Sequence, residues 1–151
     1  MKKSFIGLVI LLTLSTGVLR ANSNEPVSAK VLASFQKEFS MAANVSWTPE
    51  KDKNLYHAKF LYNNETMEAF FNSDGALLAI ARLISERQLP MLITKALAID
   101  YSNYAIRQVV EVTNEGETSY VVNLYDNSET IVLKCFSNGD SQRIKRIKNK
   151  L

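Results

Sequence analysis

LYHAKFLYNNETMEAFFNSDGALLAI (residues 55–80) and SYVVNLYDNSETIVLKCFSNGDSQRI (residues 119–144) are one pattern written twice, 64 residues apart. Tyr56, Ala58 and Phe60 alternate with polar or mixed positions, as do Tyr120, Val122 and Leu124. Met67, Ala69 and Phe71 alternate in the same way as Ile131, Leu133 and Cys135. Period-two alternation is the signature of a strand with one buried face. Gly75 answers Gly139, Ile80 answers Ile144, and Pro26 answers Pro90 at the same offset. A duplicated unit constrains architecture before any local reading is made. The matched positions are core and turn positions rather than chemical ones.

Working outward, strands are predicted over 45–48, 55–62, 65–71 and 76–84, and again over 105–113, 119–125, 129–136 and 141–148. The connections are short and rich in Asn, Asp and Gly, so they join antiparallel neighbours. Ahead of the first set, Val27, Val31, Leu32, Phe35 and Phe39 recur at helical spacing, predicting a helix of about 13 residues opened by Pro26. Ahead of the second, Leu89-Pro90 introduces Ile93, Ala96, Leu97 and Tyr101, with Leu92 beside them. The expected class is α+β: two tandem helix-plus-four-strand units, about 26–84 and 90–148, forming one antiparallel sheet with both helices on one face.

The first residues are Met1-Lys2-Lys3 and then an apolar run, 5–19, ending near the small Ala21. That is the layout of a secretory signal peptide, and the run is short for a membrane span of about 20 residues. The reading is export, cleavage after Ala21, a single domain over 22–151, no membrane span after cleavage, and a periplasmic or secreted location. The chain carries 18 Lys and Arg against 15 Asp and Glu. Lys2, Lys3 and Arg20 fall within the leader, so the remainder is formally neutral, which removes basicity as an argument for nucleic acid. Arg143, Lys145, Arg146, Lys148 and Lys150 still crowd the C-terminus. They read as a solvated edge strand protected against strand addition, or as a contact with an anionic partner. The single cysteine, Cys135, stands where the first copy has Phe71 and reads as a small buried hydrophobe.

The residues that carry chemistry do not assemble into a familiar constellation. His57 is the only histidine, placed mid-strand, and a catalytic triad would have to use it. One His and one Cys do not make a zinc site. The carboxylates are scattered, Asp126-Asn127-Ser128-Glu129 lacks the glycine of a calcium loop, and no phosphate-binding glycine loop occurs. Trp47 reads as core rather than as a sugar platform. No enzyme activity, metal or cofactor is expected. If Tyr56, Ala58, Phe60, Met67, Ala69, Phe71, Ile131, Leu133 and Cys135 face the helices, the opposite face holds His57, Lys59, Glu68, Asn123, Val132 and Lys134. That face also carries Leu61, Phe70, Val121, Tyr125 and Phe136, which are the candidate partner-binding residues because aromatic groups anchor interfaces.

Phe35 and Phe39, Val45-Ser46-Trp47, the Tyr56-x-Ala58-x-Phe60 strand, the Asp74-Gly75 turn, Leu89-Pro90, and Tyr101 with Tyr104 together resemble the PepSY-like, beta-lactamase-inhibitor-like family of small exported bacterial proteins. The resemblance spans nearly all of 22–151. It implies a helix-backed sheet whose open face grips another protein, as the inhibitory relatives do. The expected function is a non-enzymatic, inhibitor-like protein-binding module acting on a protein or peptide of the envelope or outside the cell. The alternatives are a sensor or carrier of a small envelope ligand, or a structural protein.

Overall fold

The structure, a computed structural model, describes residues 26–50 and 54–149. The leader expected over 1–21 lies outside the described residues. Helix α1 (Ala29–Glu38) is followed by β1 (Ala43–Glu50), β2 (Leu55–Tyr62), β3 (Glu65–Asn72) and β4 (Leu77–Ile84). Helix α2 (Met91–Asp100) is followed by β5 (Ala105–Asn114), β6 (Glu117–Tyr125), β7 (Glu129–Phe136) and β8 (Ser141–Lys148). All eight strands pair antiparallel, in chain order, in a single sheet.

Turn chemistry explains the meander. Asn63 and Asn64 both take positive φ, as do Glu115 and Gly116, giving the two-residue hairpins whose twist matches the flanking strands. Gly75 (φ 85°) and Gly139 (φ 94°) turn the chain where a helix lies against the loop. A Cβ on Gly75 would come to 2.9 Å from the Lys30 carbonyl oxygen, and one on Gly139 to 3.2 Å from that of Leu92. Helix α1 starts at a Ser28 cap, whose hydroxyl accepts from the Val31 N–H at 3.3 Å. It is ten residues long rather than about 13, because Pro26 precedes this cap instead of opening the first turn. Pro90 occupies the cap position of α2 itself. The helices therefore correspond at an offset of 62, Val31 with Ile93 and Phe35 with Leu97, and β5 is two residues longer than β1.

The expectation of two tandem helix-plus-four-strand units with both helices on one face is corrected by this architecture. Strand accounts for 55% of the described residues, and among them stand two α-helices of ten residues each and a three-residue 3-10 turn, Glu86–Gln88. No seam divides the sheet: β4 and β5 pair in register from Ala79↔Asn114 to Ile84↔Val109. Nor do the helices form a shared layer. Phe35 and Phe39 of α1 pack with Ala58, Phe60, Ala69 and Phe71. Ile93 and Leu97 of α2 pack with Val109, Val122, Leu124, Ile131, Leu133 and Cys135 in a separate cluster. On β4, Ile80 belongs to the first cluster and Ile84 to the second, and Arg82 stands between them. Its guanidinium donates to Glu111 at 2.8 Å and to Glu65 at 3.1 Å, an ion-paired row lying between the two apolar clusters.

The first cluster is aromatic. Phe35 meets Phe60 edge-on with centroids 5.0 Å apart and Trp47 at 5.2 Å, and Phe39 meets Phe60 at 4.8 Å. Such tilted and edge-to-face pairs add to area burial. The second cluster is mostly aliphatic, with the Cys135 thiol at 1% exposure and its pKa pushed up to about 11 by burial. A third cluster, Phe70, Ala79, Ala81, Val110 and Val112 with Val121 against it, crosses from β3 to β6. It joins residues of both sequence copies, which is a physical reason that the repeat does not divide the fold.

Candidate binding face

Strand alternation and register place the third cluster on the face that neither helix covers. Lys59↔Glu68, Glu68↔Ala81, Ala81↔Val112, Val112↔Ser119 and Ser119↔Phe136 form one row across it. Leu83↔Val110, Val110↔Val121, Val121↔Lys134 and Lys134↔Gln142 form the next. Leu83 is 56% exposed although its neighbours Val110 and Val121 are buried or half-buried. It caps an apolar strip at the middle of the sheet that neither α1 nor α2 covers.

The five residues nominated from sequence fall at different places on this surface. Phe70 and Val121 belong to the third cluster. Phe70 is only 7% exposed, since the His57 imidazole stacks on its ring at 4.6 Å and 6°. His57 Nε2 is 3.0 Å from Glu68 Oε2, so the imidazole is held from two sides. Glu68 is the only side chain hydrogen-bonded to that imidazole among the described residues. Tyr125 and Phe136 are each 37% exposed, and each carries a cation: Arg107 lies 4.6 Å over the Tyr125 ring and Lys134 lies 5.4 Å from the Phe136 centroid. Leu61 stands apart, half-buried on β2 opposite Thr66 and Ala43.

Arg107 reaches Tyr125 because of an irregularity. Ile106 pairs with Leu124 and Gln108 with Asn123, leaving Arg107 as the extra residue of a β-bulge, a device that re-aims a side chain. Sequence alternation alone gives no sign of it. Alternation also missed Leu83, Ala79, Ala81, Val110 and Val112, because β4 is apolar on both sides apart from Arg82 and the adjacent Val109 and Val110 of β5 blur its faces.

The basic C-terminal cluster is divided by the same geometry. Arg143 and Arg146 lie opposite Leu133 and Ile131, on the α2 side, whereas Lys145 lies opposite Val132 on the uncovered face. Arg146 Nε donates to Glu129, a carboxylate only 5% exposed that also accepts from the Tyr104 hydroxyl at 2.6 Å. The Arg146 hydrogen bond, then the Tyr104 one, holds the Glu129 carboxyl below the usual range. Both sheet edges resist strand addition. β1 carries Pro49 and an irregularity between Ala43 and Ser46, and β8 carries the Lys and Arg residues and an irregularity at Ile144. No three of the His, Cys, Asp and Glu side chains among the described residues come together as a metal-binding group.

These features define a BLIP-like fold, on the likeness of solved structures. A BLIP-like protein from Bacteroides fragilis NCTC 9343 superposes with a TM-score of 0.71 over 85% of this chain and 92% of its own, at 20% identity. A DUF2874 family protein from Bacteroides uniformis ATCC 8492 gives 0.69 over 80% and 88%, at 19% identity. A protein from Bacteroides eggerthii DSM 20697, provisionally described as periplasmic, gives 0.71 over 82% and 90%, at 16% identity. At these identities the likeness is one of fold. No protein-family profile matches the chain, and no curated protein matches it.

Proposed function

We propose that the protein is a non-enzymatic, exported binding module that presents the uncovered face of its sheet to another protein. The observation that carries this reading is the apolar strip of that face. Phe70, Ala79, Ala81, Val110 and Val112 form a cluster that neither α1 nor α2 covers, and Leu83, Tyr125 and Phe136 stand exposed around it. Exposed aromatic and aliphatic groups around a buried centre are the composition of a docking surface. The fold likeness to a BLIP-like protein supports an inhibitor-like module, and the likeness to a protein described as periplasmic supports an envelope location. Among the described residues no helix is long and apolar enough to cross a membrane. Removal of 1–21 and the PepSY side of the resemblance rest on the residues quoted from the sequence alone.

Photo-crosslinking tests the reading. A photoreactive amino acid is placed at Leu83, at Tyr125, or at Lys37 on the exposed side of α1, and the protein is irradiated in cells of its source. Protein adducts at Leu83 and Tyr125 but not at Lys37 are expected. Adducts from Lys37 alone would refute the assignment of the face.

A further inference from the structure

Charge on the uncovered face is not balanced as it is over the chain. Beyond residue 21 basic and acidic residues are equal in number. On the β5–β8 half of this face stand Arg107 over Tyr125, Lys134 over Phe136, and Lys145 opposite Val132. None of the three has a carboxylate partner among the described residues, where the ion pairs are His57–Glu68, Arg82–Glu65, Arg82–Glu111 and Arg146–Glu129. Of the carboxylates on this face, Glu68 is occupied by His57, Glu117 stands at the end of the β5–β6 hairpin and Glu50 lies on the far edge strand; Asp140, next in register opposite Phe136, accepts from the Asn138 amide at 2.7 Å and is in no ion pair among the described residues. Two of the three cations rest on the exposed aromatic rings, where they are held by cation–π attraction instead of by an internal acid. Arg107 is there only because a β-bulge directs it there.

We infer that the β5–β8 half of the uncovered face is built for an acidic protein surface, in which carboxylates engage Arg107, Lys134 and Lys145 around an apolar centre seated on Leu83, Val110 and Val121. The inference rests on the proposed docking role and adds the chemistry of the partner. Complementary charge at the rim of an apolar contact selects partners and speeds association. Cations that no internal carboxylate neutralises give up no existing ion pair when a partner's carboxylates arrive.

The test is an NMR titration of the purified full-length protein with defined probes at low ionic strength. The first probe is a peptide of glutamates interrupted by leucine and phenylalanine. The others are its glutamine-for-glutamate and lysine-for-glutamate counterparts, and vesicles of phosphatidylglycerol. The acidic peptide is expected to shift the amide signals of Arg107, Val121, Tyr125, Lys134 and Lys145, and to bind more tightly than either counterpart. Raising salt should weaken it, because exposed charges are screened over about 8 Å at physiological ionic strength. Lys134→Gln with Lys145→Gln should weaken it about fivefold or more, each exposed pair being individually modest. Lys30→Gln with Lys37→Gln, which removes the same charge from α1, should leave it unchanged. If the glutamine peptide binds the same residues equally well, the face still docks protein but the acidic preference is refuted. That preference is equally refuted if the lysine peptide binds as tightly or tighter, if no peptide shifts these signals, or if only the vesicles do. If the α1 double variant weakens the acidic peptide as much as the face variant, net charge and not this site is responsible, and the inference falls.

Discussion

Single residues hold this fold where the chain has no freedom to spare. Gly75 combines a φ of 85° with a helix carbonyl in the place a Cβ would take, whereas Gly116, at φ 81°, has open space around it. A left-handed conformation alone costs a non-glycine residue about 1–3 kcal/mol. Gly116→Ala should therefore lie within that range in denaturant melts, and Gly75→Ala should exceed it, because α1 or the turn must also move. Glu129 does comparable work electrostatically, tying β8 through Arg146 and the segment after α2 through Tyr104. Its carboxyl is depressed in the folded protein, so the stability it contributes is present above the ordinary glutamate pKa of about 4.3 and lost as pH falls through the lower folded value. Asp126 is depressed too, by hydrogen bonds from Ser128 and the Glu129 N–H, and adds a loss of the same sign. Thermal melts between pH 7 and pH 2 should show stability falling on the acid side, with a shallower fall in Glu129→Gln. An unchanged slope in that variant would show that the carboxylate carries no pH-dependent stability.

At the scale of elements, the faces of the strands decide what each substitution does. Phe60 is 1% exposed between Phe35 and Phe39, and Lys59, one residue earlier, is exposed on the other side of β2. Phe60→Ala should cost about 3–5 kcal/mol as a large-to-small core change. Lys59→Ala should cost under about 0.5 kcal/mol as a surface change. Comparable losses in urea melts would mean that the strand faces are assigned the wrong way round. These elements were largely legible in the sequence. The bounds expected for β2, β7 and β8 are the bounds observed, because Asn-, Asp- and Gly-containing turns mark where each strand starts or stops. The helices were less legible. A proline suits either the first turn or the approach to a cap, and α1 takes the second because Ser28, two residues on, caps it. The site was legible in part: Val121, Tyr125 and Phe136 stand on the uncovered face as alternation implies. The His57 lid over Phe70 and the bulge that turns Arg107 onto Tyr125 follow from pairing between strands, which no single segment records.

For the whole molecule, the central consequence of one continuous sheet is an apolar strip running across both sequence copies on the side without helices. The duplicated pattern pointed to two units within one sheet, and the in-register pairing of β4 with β5 runs that sheet across both copies without dividing it. Leu83 and Ile99 allow that claim to be tested without disturbing the core. Both are exposed aliphatic residues, at 56% and 69%, but Leu83 stands on the uncovered face and Ile99 on α2. Replacing either with glutamine should leave folding intact, since neither fills a packed interior. The decisive measurement is the affinity of the native envelope partner, once recovered by crosslinking, for Leu83→Gln and for Ile99→Gln. Loss of a central aliphatic anchor should weaken binding about tenfold or more in Leu83→Gln, with Ile99→Gln indistinguishable from the unaltered protein. Full affinity in Leu83→Gln together with a loss in Ile99→Gln would contradict the account and move the interface to the helices.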